Sequence, residues 1–160
     1  MSSVAELLLP SGHVALVDDE DLEAVIAGGR WRIIRDRKSL YVRRNNPSNG
    51  RQQKLHTFLT GFAMTDHING DGLDNRRSNL RPADSSLNSA NRIRLSGKSG
   101  YRGVTRHQCG RWQAAIQVRG TQAYLGLYAT PEEAARAYDA AAVAGWGEYA
   151  RPNFPIGGAP

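Results

Sequence analysis

With 160 residues, a net charge of +6, a single cysteine and 40% apolar residues, the chain has room for one ordinary domain or two small ones, each with a modest core. The lone Cys109 excludes an intramolecular disulfide and any zinc site built on cysteines, and reads as a thiol in a reducing cell. There is no apolar run near twenty residues and no charged-then-apolar leader, so neither a membrane span nor a secretory signal is expected, and a cytoplasmic setting is.

The charge is unevenly placed. Between Arg30 and Arg119 stand nineteen Lys or Arg and five Asp or Glu, a local net charge of +14, whereas the flanks sum to −8. Arginine dominates, and its planar fork suits phosphates and guanine edges, so a nucleic acid, DNA or RNA, is the expected partner. RNA is a weaker alternative, because a basic surface alone does not separate the two.

Residues 1 to 10 read as a leader, and His13 to Val17 as a strand ending in the acids Asp18 to Asp21. Asp21 is expected to cap a short helix, Leu22 to Ala27, that Gly28 and Gly29 close. Trp31 to Ile34 and Leu40 to Arg44 are β-prone runs around Arg35-Asp36-Arg37-Lys38, which predicts a basic hairpin, and the turn Asn45 to Gly50 follows. Leu55 to Phe62 reads as a short helix ending at Gly61.

From Asp66 to Asn91 the chain is rich in acids and side-chain amides, poor material for a core because each unsatisfied buried polar group costs about 1–3 kcal/mol. Thr65 to Ile68 reads as a strand that reverses at Asn69-Gly70-Asp71-Gly72 and Asp74-Asn75. Pro82-Ala83-Asp84 supplies a stop and a cap, and Ser85 to Arg92 is expected to form two helical turns with Asn88 and Asn91 on one face. Strand, turn and helix could bring Asp66, His67 and Asn88 together. A carboxylate and an amide oxygen are hard donors suited to Mg²⁺ or Mn²⁺, and an imidazole beside the ion could deprotonate water, so the group suggests metal-assisted hydrolysis.

The string Asp66-His67-x-Asn69-Gly70-Asp71, Asp74-Asn75-Arg76, Asn79-Leu80-Arg81 and Asn88-x-x-Asn91 resembles the HNH endonucleases of the phage and intron homing type. The resemblance implies His67 as general base, Asn79 as the brace of the loop, and Asp66 with Asn88 as ligands of one Mg²⁺ or Mn²⁺ per active site. Asn91 is a second candidate for the helical ligand, since the family's last histidine is replaced. His56 is implied either as a contact of the scissile phosphate or, the favoured reading, as support, and the first strands resemble those preceding the nuclease motif in homing enzymes.

Ile93 to Gly100 is basic and rich in small residues, as a linker is. Beyond it, Trp112, Ala114, Ile116 and Val118 alternate with Arg111, Gln113, Gln117 and Arg119, which predicts a strand with one packed face and one polar face. Ala123, Leu125 and Leu127 alternate likewise. Thr130-Pro131-Glu132-Glu133 is a helix start with a capping box, and the small residues that follow suit close packing on a sheet.

Tyr101-Arg102-Gly103-Val104, Tyr124-Leu125-Gly126, the run Glu132 to Ala142, and Asn153-Phe154-Pro155 resemble the plant ethylene-response-factor (APETALA-type) DNA-binding domain, with Gly100 to Pro155 covered. That resemblance implies a three-stranded antiparallel sheet in the major groove with one helix behind it. It also implies double-stranded DNA as the partner, contacted by Arg102, Arg111, Gln117 and Tyr124; Arg119, on the polar face of the same strand, is a further candidate. Thr105, His107, Gln122 and Tyr124 stand where the family has stronger DNA ligands, so its target sequence does not transfer.

The expectation is thus an α+β chain. An HNH ββα-metal module with N-terminal strands occupies 1–92, a basic linker 93–100, and an ethylene-response-factor type domain 101–160. The expected function is a metal-dependent homing endonuclease with no small-molecule cofactor; the alternative is a non-catalytic, sequence-specific DNA-binding regulator. One strand cut or two, and the oligomeric state, stay open.

Overall fold

A computed structural model describes residues 3–36, 39–91 and 98–155. Most of the expected linker, and Arg37 and Lys38 of the expected hairpin tip, lie outside the described residues. The chain divides into two compact units between Asp84 and Ser85, ahead of the boundary expected at residue 92. The helix Ser85–Asn91 belongs to the second unit, where the Arg102 guanidinium donates to the Ser89 carbonyl at 3.1 Å.

In the first unit β1 (Val4–Leu8) and β2 (Val14–Asp18) pair antiparallel, so the expected leader is in fact a strand. Its Val4 and Leu8 are exposed, with Ala5 packed inward, which hides the usual signature of a half-buried strand. Helix α1 (Asp19–Ala27) begins ahead of the expected Leu22, and Asp18, not Asp21, is its N-cap residue. Asp19, Glu20 and Asp21 occupy its first turn, where the helix dipole favours acids. Strands β3 (Arg32–Asp36), β4 (Ser39–Asn45) and β5 (Gln52–Lys54) form an antiparallel sheet in the order β3-β4-β5. Helix α2 (Leu55–Thr60) stops at Gly61, whose φ of 70° lets it close the helix in the left-handed region. Strand β6 (Thr65–His67) pairs with β7 (Leu80–Pro82), and the intervening loop is tied to β2 where Asn75 N donates to the Leu16 carbonyl at 2.7 Å.

The core of this unit gathers Ala15, Val17, Val25, Trp31, Val42, Leu55 and Leu59. Full burial of residues such as Val17, Val25 and Leu55 stabilises by about 1.5–3 kcal/mol each. Arg44 is also buried, its guanidinium 4.9 Å from the Trp31 ring centroid and 4.4 Å from that of Phe58, with the Gln53 amide and the Gly28 carbonyl taking its hydrogens.

In the second unit α3 (Ser85–Asn91) precedes the sheet of β8 (Val104–Arg106), β9 (Trp112–Val118) and β10 (Thr121–Tyr128), antiparallel in the order β10-β9-β8. Helix α4 (Pro131–Trp146) starts with the capping box of Thr130 and Glu133 and packs Ala134, Ala135, Tyr138 and Ala142 against Val104, Ala114 and Ile116. Close approach requires Gly103. A Cβ there would sit 1.9 Å from the Tyr138 ring, and its φ is 73°. The tail is knotted to the unit: the Asn153 amide donates to Asp139 Oδ1 at 2.8 Å and accepts from Arg102 N at 2.6 Å, and Phe154 N donates to Asp139 Oδ2 at 3.0 Å.

The fold is therefore mixed α and β, built on antiparallel sheets. Of the expected HNH ββα frame, β6 and β7 lie in the first unit and α3 in the second. Among the described residues no helix is long and apolar enough to cross a membrane.

Candidate nucleic-acid interface

The second unit's sheet has one face against α4 and one face outward. Register assigns the outer face. Gln113 lies between Thr105 and Leu127, Ala115 opposite Tyr124, and Gln117 opposite Gln122. Tyr124 is 62% exposed, and Gln117 and Gln122 are exposed. Leu125 and Leu127 do not share a face as the alternation suggested. The register shifts between Tyr124 and Gly126, with Leu125 packed in the core and Leu127 opposite Gln113. Gly126, at a φ of 128°, accommodates the bulge.

Arg111 and Arg119 flank β9, both exposed, and neither forms an ion pair among the described residues. Arg119 and Gly120 make a two-residue hairpin turn in which Arg119 has a φ of 47°. A non-glycine residue there carries backbone strain of order 1 kcal/mol, a feature that clusters at binding sites. Arg102, also expected to contact DNA, lies before β8. Its guanidinium donates to the carbonyls of Ser89 and Arg151, so it braces the unit.

In the first unit His67 and His56 are both 5% exposed, their rings 4.9 Å apart and nearly perpendicular, with the Tyr41 ring 5.9 Å from His67. His67 Nε2 lies 3.4 Å from Asn75 Oδ1. Burial lowers the pKa of His67 against the opposing hydrogen bond to Asn75. Burial, together with the His67 and Lys54 charges, lowers that of His56 to about 3. Both rings are neutral at neutral pH.

Asp66 meets a guanidinium. Arg81 Nε and one terminal nitrogen donate to Asp66 Oδ2 at 3.0 and 2.8 Å, with both side chains about nine-tenths buried. The cation the carboxylate was expected to find in Mg²⁺ or Mn²⁺ is supplied by the chain itself. Asn88 and Asn91 lie on α3 in the other unit, and no group of three His, Cys, Asp or Glu that could hold a metal occurs among the described residues. Asn79 ties the loop, its amide donating to the Asp74 carbonyl at 2.8 Å and accepting from Asn69 N at 3.0 Å. Asp74, held below the usual carboxylate pKa by Arg76, also accepts from the Asn69 amide at 2.9 Å.

The first unit also carries a charged row that only register reveals. Arg32 is directly opposite Arg43, and Arg43 directly opposite Lys54, so three cations cross the sheet on one face. Like charges in direct cross-strand pairs are destabilising. Lys54 Nζ lies 4.8 Å from the Tyr41 ring centroid and the Arg43 guanidinium donates to Gln52, while no ion pair neutralises the row among the described residues. A polyanion would relieve the repulsion. Neither this row nor Gln113 and Gln122 was among the expected site residues. The two glutamines share the outer face of the sheet, and parity in β9 already separates Gln113 from the core.

Over 60 residues, 36% of this chain, the sequence is 53% identical to APETALA2-like protein 2 of Oryza sativa subsp. indica. Over 63 residues it is 57% identical to the AP2-like ethylene-responsive transcription factor ANT and 59% identical to AIL7, both of Arabidopsis thaliana. The matched length is about that of Gly100 to Pro155, on which the resemblance rests. The chain spans only 14%, 11% and 13% of these relatives. No family model matches the chain.

These names correct the expected enzyme. Proteins named as transcription factors point to a DNA-binding regulator rather than an HNH endonuclease, and the nuclease, hydrolase and metal-binding readings fall with it. The buried His67 and the Asp66–Arg81 pair are the physical side of that correction: the imidazole is enclosed by rings and an amide, and the carboxylate is already neutralised.

Proposed function

We propose that the chain is a non-catalytic, sequence-specific regulator that binds double-stranded DNA through the outer face of β8, β9 and β10. The single observation that carries this reading is a three-stranded antiparallel sheet with its inner face sealed by α4 and its outer face uncharged, exposed at Thr105, Gln117, Gln122 and Tyr124, and bounded by Arg111 and Arg119. A major groove about 12 Å wide admits a β-ribbon, and the flanking arginines suit phosphate contacts that fix its position. Similarity to named AP2-like transcription factors supports the same reading. Arg32, Arg43 and Lys54 add sequence-independent attraction to phosphates.

Gel retardation on a randomised duplex tests it. The full chain should bind, and Arg111→Ala with Tyr124→Ala should weaken binding by about tenfold or more. Retention unchanged by that pair would overturn the sheet as the binding surface.

A further inference from the structure

The outer sheet face is neutral at its centre. Thr105, Gln113, Ala115, Gln117, Gln122, Tyr124 and Leu127 carry no charge, and Arg111 and Arg119 stand at the two ends of β9. We infer that this centre reads adenine·thymine pairs, with Gln113, Gln117 and Gln122 as the residues that determine specificity. The inference rests on the reading of the sheet as a duplex-binding face and names the class of duplex it takes.

The reason is donor and acceptor matching. A carboxamide offers one donor edge and one acceptor edge, which complements adenine N6–H and N7, whereas guanine shows two acceptors, O6 and N7, that call for the two donors of an arginine. Methyl and alkyl groups complete the match, since the Thr105 methyl, Ala115 and Leu127 lie on the same face and suit the thymine C5-methyl. The spacing also fits. Gln113 and Gln117 are four residues apart on β9, about 13 Å at the strand rise, or about four base-pair steps of duplex. Gln122 lies directly across from Gln117, so two amides share one end of that span and one marks the other. Gln117 Nε2 rests 3.3 Å from the Gly120 carbonyl, an exposed hydrogen bond that a base edge can replace.

Selection of duplexes from a random pool by the full chain, followed by sequencing, tests this. Wild type should enrich A·T pairs over about four central positions. Gln113→Ala and Gln117→Ala should each relax one end of that block, with a loss of roughly 5- to 150-fold on the selected site and little change on unrelated duplex. Gln117→Arg should turn its position toward G·C. Enrichment of G·C at the centre, or a block unchanged in all three variants, would overturn the inference while leaving the DNA-binding reading intact. Failure to retain any duplex would overturn that reading and this one with it. The wild-type selection decides even where a variant does not fold, and Gln122→Ala supplies a further substitution at an exposed edge-strand position.

Discussion

The two units handle polarity in opposite ways. In the first, polar groups turn inward: Asp66 with Arg81, Asn75 with His67, Asn79 with the Asp74 carbonyl, and Arg44 over Trp31 all satisfy one another in the interior. In the second, the interior is alanine and tyrosine against a sheet, and the amides of Gln117 and Gln122 face out. A polar group fully satisfied within the chain fixes a loop and has little left for a ligand, whereas an exposed amide is available to a base edge. Buried amides and acids thus mark what holds the first unit together, and exposed ones mark the face proposed to meet a duplex in the second.

The largest effect expected from breaking that contrast is at the buried pair. Asp66→Ala leaves the Arg81 guanidinium without its carboxylate and should cost about 3–5 kcal/mol of unfolding free energy in a urea titration. Asp66→Ala combined with Arg81→Ala should recover part of it. A loss below about 1 kcal/mol would mean that the pair does not organise the loop.

Next is the pH dependence of the first unit. Between the ordinary histidine pKa of 6.5 and about 3, the unfolded chain holds a proton at His56 that the folded chain refuses. Stability from this group is complete above pH 6.5 and falls as pH drops through that window, by about 1.4 kcal/mol per pH unit. His67, lowered in the same direction by burial, adds to the slope. His56→Gln should flatten the curve of unfolding free energy against pH between 7 and 4; an unchanged slope would contradict a buried neutral imidazole.

The smallest effect on stability is expected at the hairpin tip. Arg119→Gly removes the strain of the left-handed residue and should leave stability unchanged or raise it by up to about 1 kcal/mol, while weakening duplex binding. Reduced stability with full binding would reverse the assignment.

Much of the second unit was legible in the sequence, because its signals are local: a capping box at Thr130 and the alternation through Trp112 to Val118. What parity could not show was the bulge beside Leu125, since a register shift leaves the apolar spacing intact while moving Leu127 to the other face. In the first unit Gly61 and Thr65 to His67 were legible. The fate of Asp66 was not. Its partner Arg81 lies on β7, a three-residue strand ending in Pro82, and only pairing across fifteen residues brings the two together. A histidine beside a carboxylate suggested a site on the residue types alone, and burial with an internal cation gives the same residues a different role.

The most direct measurement incubates supercoiled plasmid with the full chain and Mg²⁺, then compares its mobility before and after the protein is removed. The account predicts retarded plasmid that returns to the supercoiled position. Conversion to nicked or linear DNA, abolished by His67→Ala, would contradict it.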